Sequence, residues 1–292
     1  MRMKNVRAQL AFLAAGVLLA PLPFVTAQDA PVLMPEQSAA KAKQLLQQTI
    51  QALGGSAYLN VRDMTCTGRE SQFGHSGELE GFQQFQDYME PPDMSRTENL
   101  PQRNIVEVYN KDKGWTLDRG GVAEAPTADL IRFEEGVKKE MGNLLRNRIH
   151  EPGMEFRYGG IDIVNLHEVE WVELTDSEDR TFRIAIDRSS HLPLRKDVQQ
   201  RNPDTRASTT ESDLYSNYHP IDGIQTPFQI ERSRNGMKVF QVFFESCQYN
   251  TGLPASLFTK ESLDDRWQKI GKHEREKDKK HEKKEEKDTA SN

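Results

Sequence analysis

The sequence predicts an α+β protein in which helices pack on a strongly curved antiparallel β-sheet. Apolar residues at three- and four-residue steps are confined to one segment near the start of the chain, one at its centre and a short one near its end, which is typical of amphipathic helices. Elsewhere, apolar and polar residues alternate in short runs that turn-sized gaps separate. Such runs are typical of antiparallel strands joined by hairpins.

The first 27 residues have the layout of a secretory signal peptide. Three basic residues stand near the start, namely Arg2, Lys4 and Arg7. An apolar run over 10–20 follows, which is far shorter than the roughly 20 residues of a membrane-spanning helix. Small residues occupy positions 25 and 27, so we expect cleavage after Ala27 and a mature chain that starts at Gln28. The protein should therefore be exported, periplasmic or secreted.

The charge of the mature chain argues against nucleic acid as a partner. The full chain has a formal net charge of −6, and loss of the leader, with three basic and no acidic residues, lowers this charge to −9. An acidic protein has no electrostatic attraction for nucleic acid or for an anionic lipid surface. The mean hydropathy of −0.76 indicates a core that is thin, or that is built from strands with one face in water.

Composition divides the chain into four parts. The predicted signal peptide of 1–27 precedes a flexible lead-in over 28–35, which contains two prolines. A single domain is expected over 36–260. The last part, 261–292, begins with a capping-box pattern that predicts a short helix, and then consists mostly of charged residues, which predict a disordered tail.

Two helices are predicted within the domain. The first extends over 36–53, and Gly54-Gly55 ends it as a glycine C-cap. The second extends over 127–148, with Thr127 as the expected N-cap. Its stripe consists of Leu130, Phe133, Val137, Met141, Leu145 and Arg148. The apolar face of this helix requires a partner, and the sheet is the only candidate.

Strands are predicted between the two helices and after the second one. The alternation starts at Val61, and individual runs end at turns such as 73–77, Pro91-Pro92 and 175–180. The predicted runs are 61–72, 78–89, 105–109, 115–118, 156–158, 161–164, 168–174, 181–186, 194–200, 208–218, 228–233 and 239–249. Their hairpin-sized gaps favour an antiparallel meander.

No motif in the sequence supports an enzyme, a metal site or a cofactor site. The segment Gly74-His75-Ser76-Gly77-Glu78 resembles a nucleophile elbow but lacks the final glycine that this sharp turn requires. His167-Glu168 lacks the second histidine that would complete a zinc-binding helix, and no glycine-rich phosphate loop is present. We therefore expect a non-catalytic protein with no cofactor and no metal ion.

Two cysteines, Cys66 and Cys247, remain in the mature chain, each within a predicted strand. In an oxidising compartment a lone pair of cysteines can form a disulfide, and closing a loop of about 180 residues would contribute roughly 5 kcal/mol at most. The alternative is two buried thiols that act as small hydrophobic residues. The sequence leaves both possibilities open.

Large apolar residues on the strands and on the central helix are the candidates for a ligand site. One helix does not fill a strongly curved sheet, so the remaining concavity would form an apolar cavity. The candidate lining residues are Trp115, Phe133, Val137, Met141, Phe182, Ile184, Phe228, Phe240 and Phe244. The alternative is that these residues fill an ordinary core.

Several segments carry a resemblance to a known family. The first helix ends in Ala52-Leu53-Gly54-Gly55 and precedes Tyr58-Leu59-Asn60-Val61-Arg62, and a Gly114-Trp115 hairpin precedes the second helix. A later strand starts at Leu192-Pro193-Leu194-Arg195, and Tyr218-His219-Pro220-Ile221-Asp222-Gly223-Ile224 precedes the last two strands. In these features the chain resembles the periplasmic outer-membrane lipoprotein-sorting proteins of the LolA/LolB-like superfamily. The resemblance implies an unclosed antiparallel barrel, with an N-terminal helix and a central helix covering its concave face.

The resemblance also implies a function, since the best-known members of the superfamily hold lipoprotein acyl chains in the barrel. We therefore expect an exported, non-catalytic carrier or binding protein whose ligand is a lipid or lipoprotein acyl chain, with an envelope membrane protein as a further partner. One alternative is an envelope scaffold or protein-interaction module with a self-filled core. The other is a secreted hydrolase whose site the sequence does not reveal.

Overall fold

The computed structural model describes residues 33–201 and 206–271. The predicted signal peptide, most of the predicted lead-in and the charged tail beyond 271 lie outside the described residues. Within the described residues, no helix is both long enough and apolar enough to cross a membrane.

The described ranges contain five helices. They are α1 (Pro35–Leu53), α2 (Ser56–Leu59), α3 (Thr127–Lys139), α4 (Met141–Arg146) and α5 (260–271), with two short 3-10 turns at Arg148–His150 and Ala255–Phe258. α1 lies where the sequence predicts it. Gly54 ends it as expected, since the Gly54 N–H points back at the carbonyl groups of Gln51 and Ile50.

Thirteen antiparallel strands form one sheet in the described chain. They are β1 (Met64–Phe73), β2 (Leu79–Glu90), β3 (Met94–Leu100), β4 (Val106–Asn110), β5 (Lys113–Asp118), β6 (Gly121–Glu124), β7 (Glu155–Val164), β8 (His167–Thr175), β9 (Thr181–Asp187), β10 (Pro193–Arg201), β11 (Ser208–Ile221), β12 (Ile224–Arg234) and β13 (Met237–Tyr249). Their order in the sheet is β6-β5-β4-β3-β2-β1-β13-β12-β11-β10-β9-β8-β7. Strands that follow each other in sequence are neighbours, as the predicted meander requires, except β6 and β7, and β1 additionally pairs with β13.

The sheet does not close into a barrel. β6 and β7 are its two edges, and the chain between them consists of α3, α4 and the turn Arg148–His150. The first and last strands meet in the middle of the sheet. This arrangement confirms the predicted fold class of a curved, unclosed antiparallel sheet with helices.

One row of cross-strand partners identifies the two faces of the sheet. Each residue of the row pairs directly with the next, in the order Val172, Ile184, Lys196, Asp213, Arg232, Phe240 and Gln72. Directly paired residues share a face of a sheet. Val172 and Ile184 pack in the core with α1, so the whole row lies on the side of α1. We name this side the inner face and the opposite side the outer face.

α1 and α4 fill the inner face of strands β8 to β12. Residues of α1, α4 and these strands form one cluster, in which the most buried members include Leu46, Leu144, Leu145, Leu174, Phe182 and Ile184. The buried members of this cluster are at most 8% exposed. We name this part of the inner face the filled half.

The C-terminal segment covers the outer face of strands β4 and β5. Val106, Val108 and Leu117 pack there against Phe258 and Leu263. Leu263 belongs to α5 and is completely buried, so the predicted short helix is present. It begins at 260, so the predicted capping box at Ser262 is wrong, and the Ser262 hydroxyl donates to the carbonyl groups of Leu257 and Thr259.

The prediction of a single central helix over 127–148 is wrong. Glu140 leaves the helical region with φ −64° and ψ 134°, which separates α3 from α4. Its carboxylate then caps α4 by accepting hydrogen bonds from the N–H groups of Gly142, at 2.6 Å, and of Asn143. Thr127 is not the N-cap of α3 either, because Pro126 holds that position and no side chain caps the helix.

The alternation of apolar and polar residues misses two strands, β3 and β6. In β3 the buried side chains are those of Arg96 and Glu98, whose Nε and Oε1 atoms are 2.7 Å apart. A strand that buries an ion pair shows no apolar period. β6 has only four residues, too few for a period to be recognised. The two runs predicted at 156–158 and 161–164 form one strand, β7, with a register shift between Tyr158 and Gly160.

The segments that carry the family resemblance meet in space at the end of α1. Gly54 has a φ of +131°, and a Cβ added to it would lie 2.4 Å from the carbonyl oxygen of Gly223, in the turn between β11 and β12. The Tyr218 hydroxyl donates a hydrogen bond of 2.6 Å to the carbonyl of Pro193. The approach of Gly54 to Gly223 seats the end of α1 on the β11–β12 hairpin, and this seating requires glycine at position 54.

Gly54→Ala should lower the free energy of unfolding by at least about 2 kcal/mol, because its methyl group would overlap backbone atoms and its φ is strained for alanine. Gly136→Ala is the matched control. No atom lies within 4 Å of the Cβ position at Gly136, and alanine favours the helix by up to about 1 kcal/mol. Urea unfolding of both variants measures the difference. Equal stability of the two variants would contradict the proposed seating of α1.

Candidate functional site

α3 lies over the inner face of β4 and β5 and makes only light contact with it. The Phe133 ring stacks on the Tyr109 ring, with centroids 4.5 Å apart and planes 10° apart. Leu130 approaches Gly114 so closely that a Cβ on the glycine would lie 2.9 Å from the Leu130 side chain. None of the 13 residues of α3 is buried. We name the inner face of β1 to β5 and β13 the open half.

Charged side chains fix the C-terminal end of α3 to the turn between β8 and β9. Arg180 binds Glu135 of α3 at 3.1 Å, and Lys138 of α3 binds Glu178 at 3.0 Å. Arg180 also binds the buried Asp176 at 3.2 Å. Burial alone would raise the pKa of Asp176, but its hydrogen bonds and ion pairs outweigh burial and hold that pKa below its ordinary range. Ionic contacts therefore anchor α3 at this end.

Aromatic residues from two strands line the floor of the open half. Phe85 of β2 and Phe244 of β13 meet edge to face, with ring centroids 5.9 Å apart. Gly68 of β1 lies between them in register, and a Cβ there would lie 2.8 Å from the Phe85 ring. Phe240 and Val242 continue the same face along β13. Phe240 and Phe244 are only half-buried, so part of this apolar floor still contacts solvent.

Three carboxyl groups share the floor of the open half with these rings. Asp87 and Glu107 lie in one row of cross-strand partners, which runs Cys66, Asp87, Thr97, Glu107 and Thr116. Glu70 lies further along β1 and accepts a hydrogen bond from its cross-strand partner Gln83. In the described part of the chain, no Lys, Arg or His nitrogen lies within 4.0 Å of these carboxyl groups.

The surroundings of these carboxyl groups favour their neutral forms. Burial raises the pKa of Asp87 from 3.8 to about 7, a hydrogen bond from Thr97 opposes the rise, and the charges of Glu70 and Glu107 add to it. Burial also raises the pKa of Glu70 and that of Glu107. Glu107 is nevertheless an exposed residue, and Asp87 and Glu70 are half-buried. Protein surrounds these groups and water still reaches them, as on the floor of a concave surface.

One oxygen of Asp87 has no partner. Its Oδ1 atom is shut off from solvent and has no hydrogen bond with any described residue. A buried carboxylate oxygen without a donor is costly, because the lost hydration is not replaced. Asp87 is thus the least satisfied polar group on this floor.

A disulfide lies beside Asp87 on the inner face. The sulfur atoms of Cys66 and Cys247 are 2.08 Å apart, and both residues are buried. The bond joins β1 to β13, the pair that meets in the middle of the sheet.

The structure does not bring the nine predicted lining residues together. Met141, Phe182 and Ile184 belong to the core of the filled half, under α1. Trp115 packs with Val108 and its neighbours, in the outer-face cluster that the C-terminal segment covers. These four side chains therefore lie away from the open half.

Four of the other five predicted residues lie around the open half, and Phe228 lies on β12. Phe133 and Val137 belong to α3 and are half-buried. Phe240 and Phe244 lie on the floor. Phe228 of β12 packs against the His219 ring, with centroids 4.8 Å apart.

The sequence analysis missed Glu70, Asp87 and Glu107, because no motif marks them. One signal was available for Glu70. Cys66, Gly68 and Glu70 alternate along β1, so a cysteine that points into the core places Glu70 on the same face. For Asp87 and Glu107 the face depends on strand pairing, which the sequence does not reveal.

The arrangement closest to a catalytic triad is the cluster around Asp187. His167 Nδ1 lies 2.9 Å from Asp187 Oδ2, while the hydroxyl groups of Ser189 and Ser190 donate to Asp187 Oδ1 at 2.6 and 2.9 Å. A nucleophilic serine must instead bond to the imidazole, which takes its proton. The cluster therefore closes the turn between β9 and β10. In the described ranges, no group of three or more His, Cys, Asp or Glu side chains is arranged to hold a metal ion.

No protein-family model matches this sequence, and no curated protein matches it. Solved structures match its fold. A DUF1329 family protein from Desulfovibrio piger ATCC 29098 superposes with a TM-score of 0.53 at 14% identity, over 76% of this chain and 98% of that one. A putative outer membrane lipoprotein-sorting protein domain from Vibrio parahaemolyticus gives a TM-score of 0.52 at 13% identity, over 76% and 99% of the two chains.

These two comparisons show that the chain has a LolA-like fold, a large unclosed antiparallel sheet with helices. The fold expected from the resemblance is therefore confirmed. At identities of 14% and 13%, the likeness to these two structures shows the fold alone and does not show the function. The ligand has to be argued from the residues of this chain.

Asp87→Asn should remove a pH dependence of stability. The folded pKa of Asp87 is about 7, against 3.8 for an ordinary aspartate, so the folded protein binds more protons than the unfolded protein between these values. The free energy of unfolding contributed by this group therefore falls as the pH rises from about 4 to about 7. The variant should lose this decline and be the more stable protein at pH 8. Urea unfolding at several pH values measures the free energy of unfolding of both proteins. If this free energy falls between pH 4 and pH 7 as much in the variant as in the unmodified protein, the pKa of Asp87 is not raised.

Proposed function

We propose that this protein is an exported, non-catalytic carrier or binding protein that holds a lipid or lipoprotein acyl chain on the open half of its inner face. The contrast between the two halves of that face carries the proposal. In the filled half, the buried members of the core are at most 8% exposed. Over the open half, α3 contributes no buried residue. Phe85 and Val242 of the floor are buried, but Phe240 and Phe244 are only half-buried and lack the apolar cover that the filled half has, and an acyl chain would supply it.

The energy available from such a surface is sufficient for binding. Each buried methylene group of an acyl chain contributes about 0.8 kcal/mol. Ten such groups would contribute about 8 kcal/mol, before the cost of ordering the chain is subtracted. An acyl chain can also follow an extended floor such as the one that Phe240, Val242 and Phe244 form along β13.

The predicted leader supports export to the periplasm or beyond, where a carrier of lipid chains would operate. The likeness in fold to a putative outer membrane lipoprotein-sorting protein domain supports the same class of function by analogy. A carrier of this kind must receive or deliver its cargo at a membrane, so an envelope membrane protein is the partner we propose.

A scaffold or protein-interaction module is the second candidate function. α1 and α4 fill their half of the inner face with their own side chains, as a self-filled core requires. A hydrolase is not supported, because Ser189 and Ser190 donate to Asp187 and not to the His167 imidazole.

Phe240→Ala should weaken saturable binding of a fluorescent fatty-acyl probe at least about tenfold, because it removes apolar floor that the probe would cover. Its effect on the free energy of unfolding should stay below about 2 kcal/mol, since Phe240 is only half-buried. Fluorescence titration and urea unfolding give the two quantities.

Phe182→Ala is the matched control for this experiment. Phe182 is fully buried in the filled half. Its loss should cost about 3–5 kcal/mol of stability and leave the probe affinity of the folded fraction unchanged. Absence of saturable probe binding by the unmodified protein would leave the scaffold as the better function.

A further inference from the structure

We propose that the ligand of the open half is a cationic amphiphile, whose aliphatic chain covers the aromatic floor and whose protonated amine binds among the carboxyl groups of Glu70, Asp87 and Glu107. The inference rests on the proposed function, because it uses the same surface. It adds the chemical class of the polar end of the ligand. The alignment of carboxyl groups with an apolar floor points to a molecule that combines both properties.

The positive groups of the inner face already have partners. Lys196 Nζ lies 2.9 Å from Asp213 Oδ2, and Arg232 Nε lies 2.7 Å from Asp213 Oδ1, so both cations are held by one buried carboxylate. On α3, Arg132 binds Asp129 at 2.8 Å. Lys196 and Arg232 are therefore held by Asp213, and the charge of Asp129, which raises the pKa of Glu107, opposes that of Arg132, which lowers it.

The carboxyl groups of the open half lack such partners within the described chain. Glu70 has a hydrogen bond from Gln83, and Asp87 has one from Thr97. The Oδ1 atom of Asp87 is buried without any donor. An ammonium group has three N–H donors and a positive charge, so it would bind the carboxylate oxygens that solvent reaches and reduce the repulsion among the three carboxyl groups.

The spacing of the row suits one small cation. Asp87 and Glu107 stand on β2 and β4, with Thr97 of β3 between them in register. Two strand spacings separate the backbones of Asp87 and Glu107 by about 10 Å. The aspartate and glutamate side chains are long enough to approach one cation above Thr97 from both sides.

An anionic headgroup fits this surface poorly. Above the pKa values of the three carboxyl groups, the carboxylate of a free fatty acid would meet like charges, while Lys196, Arg232 and Arg132 already bind carboxylates. The charged groups that face the site from the other elements do not remove this repulsion. From α3, the charged groups are Asp129 and Arg132, which bind each other. The titratable group of β4 is Tyr109, and burial raises its pKa to about 12, so it is neutral.

The preference for a cation should increase with pH. The pKa of Asp87 is about 7, so its carboxyl group gains its full charge only above neutral pH. An alkyl ammonium keeps its proton in this range, because its pKa is about 10. The attraction at pH 8 should therefore exceed that at pH 6.

The test compares three ligands with the same ten-carbon chain, decylamine, decanol and decanoate, as competitors of a fluorescent fatty-acyl probe below their micelle concentrations. At pH 8, decylamine should displace the probe at about one tenth of the decanol concentration, and decanoate should be the weakest competitor. The double variant Asp87→Asn, Glu107→Gln should bring decylamine and decanol within about twofold of each other. Glu245→Gln is the control, because Glu245 pairs with Arg69 and both are half-exposed at the surface.

Each outcome separates the inference from the function on which it rests. Failure of all three ligands and of the probe to bind would overturn both. Equal competition by the three ligands, or a preference for decanoate, would leave the acyl-chain carrier standing and overturn the cationic ligand. A preference for decylamine that survives in the double variant would also overturn it. Displacement of the probe by a lysine-rich peptide at the same concentration as decylamine would also overturn the cationic amphiphile, because the alkyl chain would then contribute nothing to binding.

Discussion

Strand β1 pairs with β13 in the middle of the sheet, and the disulfide between Cys66 and Cys247 fixes that pair across 181 positions of sequence. This contact makes one surface from two meanders, β1 to β6 and β7 to β13. Because the first and last strands occupy the centre, both edges belong to the middle of the chain. The segment of α3 and α4 must cross from one edge to the other, and it therefore lies over the inner face.

The two halves of the inner face differ because their helices are held differently. α1 buries a full apolar stripe, and its end is seated on Gly223 through the close approach of Gly54. α3 buries no residue and depends on a stacked ring pair and on the ion pairs around Arg180. Arg180 is buried, but the Lys138–Glu178 pair is exposed, and exposed ion pairs contribute little stability and weaken with salt. The cover of the open half is thus the weaker of the two, and that half is the one left for a ligand.

Both halves of the inner face carry charged residues, but in the filled half Lys196 and Arg232 pair with Asp213, whereas the carboxyl groups of the open half have no such ion pairs among the described residues. Glu70, Asp87 and Glu107 stand among aromatic rings, and burial raises the pKa of each. A folded chain that only had to be stable would place apolar residues there, since each such carboxyl group opposes folding above its pKa. Departures of this kind concentrate at functional sites. The carboxyl groups and the rings are therefore best explained together, as two parts of one binding surface.

The sequence by itself determined the features that depend on residues close together in the chain. The glycine end of α1, the short helix that buries Leu263 and most strands with their turns follow from local periods and turn chemistry. The tertiary structure alone decided the pairing of β1 with β13 and the outer-face position of Trp115. It also decided the helix break at Glu140 and the alignment of Asp87 and Glu107 in one row of the sheet. Each of these depends on the register between strands or on a cap formed in the folded chain. A shift of one residue in that register would move every side chain to the other face, and no local pattern records it.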